Sequence, residues 1–302
     1  LTLLILVPSR PFWNTVDAEE PISGRTTKVQ IDPADSVLGP IDLVELENFL
    51  DAYFAEQMET HHIPGLVFTL VRTEEVFFSK GYGYADIEDQ IPFNPDETVL
   101  TAASLAKAFT AVGVLQLYEQ GLIDLNEDIR PYFNKFQLDT RYSKPLTFAN
   151  LLTHTDGFES RLIGVAGQSE ADLLPLGELL EANKPVQIYP PGEYMTYSDY
   201  GANLAGYLIQ EISGVPYAQY MADNIFAPLG MTDSILDLRT PENLRSRLAT
   251  GYEYQDGRQK RLPPIGPSYA PSGGLRTTAA DINRFMLALL AGGECKDGHI
   301  LD

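Results

Sequence analysis

One lysine breaks the pattern of an otherwise apolar run. From Leu105 to Leu117 only Lys107, Thr110 and Gln116 are polar, and Ala, Leu, Phe and Val dominate. Polar and apolar residues do not alternate, so the run reads as a helix buried on nearly every side. Burying an ammonium group is costly unless it is paired or its pKa falls. Ser104 stands three residues before Lys107, a spacing that puts both on one helix face. A serine hydroxyl is a poor nucleophile until a base takes its proton. A desolvated lysine, neutral for part of the time, can take it, and a helix N-terminus favours negative charge developing near Ser104. The same four residues also admit a plainer reading, a helix-capping serine and a lysine snorkelling to the surface.

The size and charge of the chain narrow what such a helix can serve. Its 302 residues suffice for one large domain or two closely joined ones. A formal net charge of -21, from 21 basic and 42 acidic residues, repels nucleic acid and anionic membranes. No basic run occurs, so no nucleic-acid partner is expected. The single cysteine, Cys295, excludes an internal disulfide. His61-His62 has no further ligand at a recognised zinc spacing, so no metal or other cofactor is expected.

Read in order, the chain starts with the apolar Leu1 to Val7. This resembles the tail of a secretory h-region, with Val16-Asp17-Ala18 as small residues suited to cleavage, and points to a secreted or periplasmic protein. The run is too short to span a bilayer. Residues 1–40 read as signal remnant and linker, and 41–302 as the domain. Asp42 to Met58 has helical spacing, with a capping-box pattern from Asp42 to Glu45. Leu66 to Val71 and Val76 to Ser79 form a hairpin joined by Arg72-Thr73-Glu74-Glu75. Gly81 and Gly83 follow, allowing close backbone approach. The helix after Ser104 ends near Gly121. From Gly121 to about Ser268 helices and loops alternate, with no strand pair expected. Leu151 to Gly157 reads as a helix end running into a turn. Tyr200 to Ser213 is helical and closed by Gly214, and Thr278 with Asp281 caps a last amphipathic helix.

Downstream lies Tyr197-Ser198-Asp199. A tyrosine there can relay the serine proton to a leaving group; it also reads as one more core tyrosine with a bonded hydroxyl. In order, the chain carries Gly81-Tyr82-Gly83-Tyr84-Ala85-Asp86, Ala103-Ser104-Leu105-Ala106-Lys107, Leu151-Leu152-Thr153-His154-Thr155-Asp156-Gly157, Tyr197-Ser198-Asp199-Tyr200-Gly201, and Pro271-Ser272-Gly273-Gly274-Leu275 with Thr278-Ala279-Ala280-Asp281. Together these resemble the β-lactamase-related serine hydrolases. That family holds class C β-lactamases, D-alanyl-D-alanine carboxypeptidases, D-aminopeptidases and class C-like carboxylesterases.

The resemblance implies an α/β fold. An α/β/α sandwich with an antiparallel sheet would carry an all-helical region, here about 100–268, with the site between the two parts. It implies Ser104 as acyl-enzyme nucleophile, Lys107 as proton acceptor and Tyr197 as general acid/base, with the Ser104 N–H as half of an oxyanion hole. The substrate would be a small ester or amide, such as a β-lactam or a D-amino-acid peptide. Loops around Gly157 to Pro175 and Pro185 to Met195 would shape the acyl pocket. The family's tyrosine motif usually ends in Asn, where this chain has Asp199. A carboxylate accepts but does not donate, so Asp199 is expected to weaken amide recognition at the substrate-binding position. The family's third motif, Lys-Thr-Gly or His-x-Gly on a late strand, is not found after Tyr197. C-terminal strands are therefore expected to be missing and a sheet edge to lie unpaired. The competing readings are a Ser-His-Asp hydrolase, for which no Gly-x-Ser-x-Gly elbow exists, and a member of the fold that binds without catalysing. The sequence does not give the oligomeric state.

Overall fold

The computed structural model describes residues 3–6 and 42–302, apart from 73–74, 161–173, 238, 264–268 and 297. Its main sheet is built from β1 (Leu3–Leu6), β2 (Gly65–Arg72), β3 (Glu75–Asp86) and β4 (Ile91–Pro92), in the order β1-β2-β3-β4. Helix α1 (Leu43–Thr60) precedes β2 and starts at Asp42, whose side chain accepts from Val44 N and Glu45 N at 2.9 and 3.0 Å. The β2–β3 hairpin is antiparallel, with Gly65 opposite Gly83 and Phe68 opposite Lys80. Strand β2 is buried from Leu66 to Val71, which is why it reads as one apolar run and not as an alternating strand. Leu50 of α1 packs with Phe68, Leu70 and Phe78 on one side. The glycine expectation also holds: a Cβ on Gly81 would lie 1.9 Å from the carbonyl oxygen of Phe93, so only glycine fits there.

The sheet takes in one further segment. The apolar start of the chain, read as the tail of a secretory segment, contributes Leu3–Leu6 as a strand parallel to β2. It pairs along Phe68 to Val71 and covers that edge of β2. An exposed row of backbone donors and acceptors recruits whatever extended segment is available.

The long middle begins with β5 (Leu100–Ala103) and the buried α2 (Ala106–Glu119). Next come α3 (Phe148–Leu152), α4 (Leu176–Ala182), α5 (Asp199–Ser213), α6 (Tyr217–Met221), α7 (Ala227–Leu229) and α8 (Glu242–Arg245). Helix α5 closes on Gly214 in the left-handed conformation, as the sequence predicts. The prediction of no strand pair before Ser268 is wrong. Strands β6 (Tyr252–Gln255) and β7 (Arg258–Arg261) form an antiparallel hairpin. Asp256 and Gly257 turn it with φ of 55° and 77°, the conformation an Asp-Gly two-residue turn requires.

The chain then returns through α9 (Ala270–Gly273), β8 (Leu275–Thr277), α10 (Ala279–Leu290), β9 (Glu294–Cys295) and β10 (Gly298–His299). Strand β8 pairs antiparallel with β5. Thr278 caps α10 by accepting from Asp281 N at 3.2 Å. The return half of the expected capping box is replaced, because the Asp281 carboxylate is taken by Asp233 N and Ser234 Oγ, each at 2.8 Å. Helix α10 covers the second face of the sheet, where Asn283 Oδ1 accepts from Thr69 Oγ1 at 2.6 Å. Phe109 of α2 stacks on Phe285 of α10 with ring centroids 3.9 Å apart. The main core joins α2, α5 and α10, and the fold is the expected α/β arrangement of helices on an antiparallel hairpin.

Candidate active site

Ser104 leaves the end of β5 on a kinked backbone. The β5–β8 register slips between Thr101 and Ala103, and Ala103 takes a φ of 45°. A bulge of this kind re-aims the next side chain, and left-handed backbone at a non-glycine costs about 1–3 kcal/mol. Ser104 is exposed, and its carbonyl accepts from Lys107 N at 3.1 Å in the turn that leads into α2. The helix begins at Ala106 and has no side-chain cap. The capping-serine reading therefore fails, since the Ser104 hydroxyl points elsewhere.

It points at two of the expected partners. Tyr197 OH donates to Ser104 Oγ at 2.8 Å, and Lys107 Nζ donates to the same oxygen at 3.3 Å. The snorkelling reading of Lys107 fails as well. Its side chain is only 13% exposed, and its two other bonds go to the Ser272 carbonyl oxygen at 2.7 Å and Asp199 Oδ1 at 2.6 Å. An ammonium group has three donors, and here each has an acceptor. Tyr197 is 44% exposed, so it is not a core tyrosine; its ring centroid lies 4.7 Å from Lys107 Nζ.

Sequence reasoning named these four residues and missed the parts that hold them. The Ser272 acceptor is a backbone carbonyl on α9, 165 residues from Lys107, and no side-chain pattern announces it. His154 entered the sequence reading only as part of the turn from Leu151 to Gly157. Its ring lies 4.6 Å from that of Tyr197, and its Nδ1 accepts from Ser198 N at 3.2 Å. That nitrogen is thus occupied by Ser198, and no bond joins His154 to Ser104 among the described residues, which leaves a Ser-His-Asp arrangement without a base.

The turn after α3 anchors the surrounding loop. Gly157, at φ 77°, accepts from Ile188 N at 2.8 Å, and a Cβ there would meet the Tyr189 carbonyl oxygen at 2.0 Å. Asp156 is fully buried, and burial pushes its pKa up to about 7 despite hydrogen bonds from Phe158 N–H and the Ser198 hydroxyl. Of the two expected pocket loops, most of 157–175 lies outside the described residues. The other presents Tyr189, Tyr194 and Met195 as exposed apolar side chains leading to Tyr197.

The β-lactamase family model matches residues 50–300 of this sequence. The chain belongs to the β-lactamase family. Members of the family are serine hydrolases. This member is similar to Protein flp of Staphylococcus aureus (strain N315), with 28% identity over 208 residues that cover 68% of this chain and 41% of that protein. It spans about half or less of the length of the curated relatives it matches. Among solved structures it resembles the octameric penicillin-binding protein homologue from Pyrococcus abyssi, with a TM-score of 0.71 and 27% identity over 82% of this chain and 57% of that one. It also resembles the D-amino acid amidase from Ochrobactrum anthropi SV3, with a TM-score of 0.70 and 26% identity over 85% and 73%. Among the described residues, no helix of this β-lactamase-family chain is long and apolar enough to cross a membrane.

Proposed function

We propose that this chain carries the reacting groups of a serine hydrolase that forms an acyl-enzyme on Ser104, with small esters as its preferred substrates. One observation carries this reading: two proton-transfer groups, Tyr197 OH at 2.8 Å and Lys107 Nζ at 3.3 Å, converge on one exposed serine oxygen.

In the reacting form Lys107 carries the ammonium charge and Tyr197 is a phenolate, so the 2.8 Å bond between Tyr197 and Ser104 is then donated by the Ser104 hydroxyl. The Asp199 carboxylate at 2.6 Å favours the charged ammonium, which leaves the Tyr197 oxygen as the acceptor for the Ser104 proton. As Ser104 Oγ bonds to the ester carbonyl carbon, its proton passes to Tyr197 and the carbonyl oxygen becomes an oxyanion, met by the Ser104 N–H. The bond to the alkoxide then breaks, and Tyr197 returns the proton to the departing oxygen. Water repeats the cycle: it gives its proton to Tyr197, attacks the acyl carbon, and Ser104 Oγ leaves and recovers a proton.

Esters are favoured over amides for two reasons. Asp199 stands where an amide side chain would donate to substrate, and a carboxylate has nothing to donate. The exposed Tyr189, Tyr194 and Met195 offer an apolar rim suited to a small acyl or aryl group. D-Amino-acid amides and β-lactams are the competing substrates, supported by the likeness to the D-amino acid amidase.

A fluorophosphonate probe tests the reading. Labelling of the wild type and not of Ser104→Ala supports it. No labelling in a chain of the full natural length supports a binding protein that kept the fold without catalysis.

A further inference from the structure

We propose that His154 is a positioning residue that holds Tyr197 against Ser104 and does so only as a neutral imidazole; this rests on the reading of Ser104 and Tyr197 as reacting groups. Three contacts place it. The carbonyl oxygen of His154 accepts from Thr196 N at 2.8 Å, its Nδ1 accepts from Ser198 N at 3.2 Å, and its ring packs on the Tyr197 ring at 4.6 Å and 38°. The residue before Tyr197, the residue after it and Tyr197 itself are therefore all held by one side chain and its own backbone. Ser198 in turn caps α5 by accepting from Gly201 N at 2.9 Å, so the grip on Tyr197 continues into the helix that carries Asp199.

The turn is built to aim this ring. His154 has a φ of 56°, left-handed backbone that His adopts more readily than most non-glycine residues. Thr155 fixes it from the far side, where its carbonyl oxygen accepts from Gly192 N at 2.7 Å and its hydroxyl accepts from Asn150 Nδ2 at 3.1 Å.

A ring nitrogen that accepts a backbone N–H cannot itself carry a proton, so the proton of the neutral ring sits on Nε2. Protonating Nδ1 would break the bond to Ser198 and place a second cation beside Lys107. The charged and titratable groups around the ring are Lys107 from α2, Asp199 from the first turn of α5 and the Tyr197 phenol. Asp156 follows in the same turn and lies against Gly201, where a Cβ would meet its carboxylate oxygen at 2.1 Å. Burial, then the Lys107 charge, push the His154 pKa below its ordinary 6.5, with Asp199 and the Ser198 backbone pulling the other way. The imidazole is thereby kept neutral through the neutral pH range, and the grip fails only in acid.

Two variants separate positioning from simple packing. His154→Asn puts a side-chain oxygen near the place of Nδ1, tolerates a positive φ and cannot titrate. His154→Leu fills the space and offers no acceptor. The readouts are the Ser198 amide resonance in selectively 15N-serine-labelled protein, followed from acid to neutral pH, and kcat and KM for p-nitrophenyl acetate over the same range. In the wild type, the amide shift and kcat should share one inflection below pH 6.5, with KM unmoved. His154→Leu should lower kcat by on the order of 10²-fold at neutral pH, the scale expected of a misplaced reacting group, and the difference from wild type should shrink in acid. His154→Asn should rescue most of that loss and abolish the inflection in both readouts. The same acid inflection in His154→Asn, or wild-type kcat in His154→Leu at neutral pH, overturns the proposal. If the wild type turns over no ester, the hydrolase reading fails separately. The Ser198 resonance then decides for or against the brace by itself.

Discussion

Asp199 Oδ1 lies 2.6 Å from Lys107 Nζ and is the nearest of its three partners, closer than the Ser272 carbonyl at 2.7 Å or Ser104 Oγ at 3.3 Å. The pair is mostly shielded from water, with 13% and 20% of the two side chains exposed. The lysine that the sequence suggests as a partly neutral base thus has a carboxylate, two residues after Tyr197, as its nearest partner.

Replacing that carboxylate should redirect the site. Asp199→Asn keeps an acceptor for Lys107 and adds an N–H donor for a substrate amide. The ratio of nitrocefin to p-nitrophenyl acetate turnover should rise. An unchanged ratio removes the idea that Asp199 steers the site towards esters.

Tyr197→Phe deletes only the hydroxyl 2.8 Å from Ser104 Oγ. Loss of a positioned acid/base lowers kcat by about 10²–10⁴-fold. The phenol stands on an exposed face, so stability should stay within about 0.5 kcal/mol of wild type. A denaturation midpoint together with ester kinetics checks both halves, and wild-type kcat in this variant would remove Tyr197 from the mechanism.

The elements most legible in the sequence are those whose local pattern and tertiary role agree. Ser104 and Lys107 meet because helical spacing brings them together, and Gly214 ends α5 because a left-handed residue is needed there. The β6–β7 hairpin escaped notice because Tyr-Glu-Tyr-Gln and Arg-Gln-Lys-Arg lie on the surface, where no buried face imposes alternation; the Asp256-Gly257 turn was the available signal. The hold on Lys107 by Ser272 is a backbone contact between distant segments, and local pattern carries no trace of it. His154 was visible as a residue, but its purpose depends on a positive φ that aims the ring at Tyr197.

The buried Asp156 should make stability depend on pH. Its carboxyl has a pKa of about 7 in the folded chain against 3.8 when unfolded. The folded state therefore holds the proton more tightly. Stability from this group is full below about pH 4, declines as pH rises towards 7, and levels off above that. A shift of this size corresponds to at most about 4 kcal/mol. Asp156→Asn removes the slope, so the variant should gain stability over wild type at pH 8 and not at pH 4. Parallel urea-denaturation profiles across that range would contradict this assignment.

Thr110 ties α2 to α9 one turn after Lys107. Its Oγ1 lies 2.7 Å from Tyr217 OH and 2.8 Å from the Pro271 carbonyl oxygen, and it is buried. Thr110→Val leaves the Tyr217 hydroxyl buried and unpaired, at a cost of about 1–3 kcal/mol. Because α9 also carries the Ser272 carbonyl that holds Lys107, kcat should fall with stability. A loss of stability with kcat unchanged would show that the α9 carbonyl does not position the lysine.

The reading of Ser104 as the nucleophile faces its most direct test in intact-mass spectrometry of protein mixed with a slowly turned-over ester, followed by peptide mapping. The account predicts one added acyl group, confined to the peptide containing Ser104, which accumulates in the wild type and is absent from Ser104→Ala. Ester turnover that persists in Ser104→Ala, or an acyl group mapped to another residue, would contradict it.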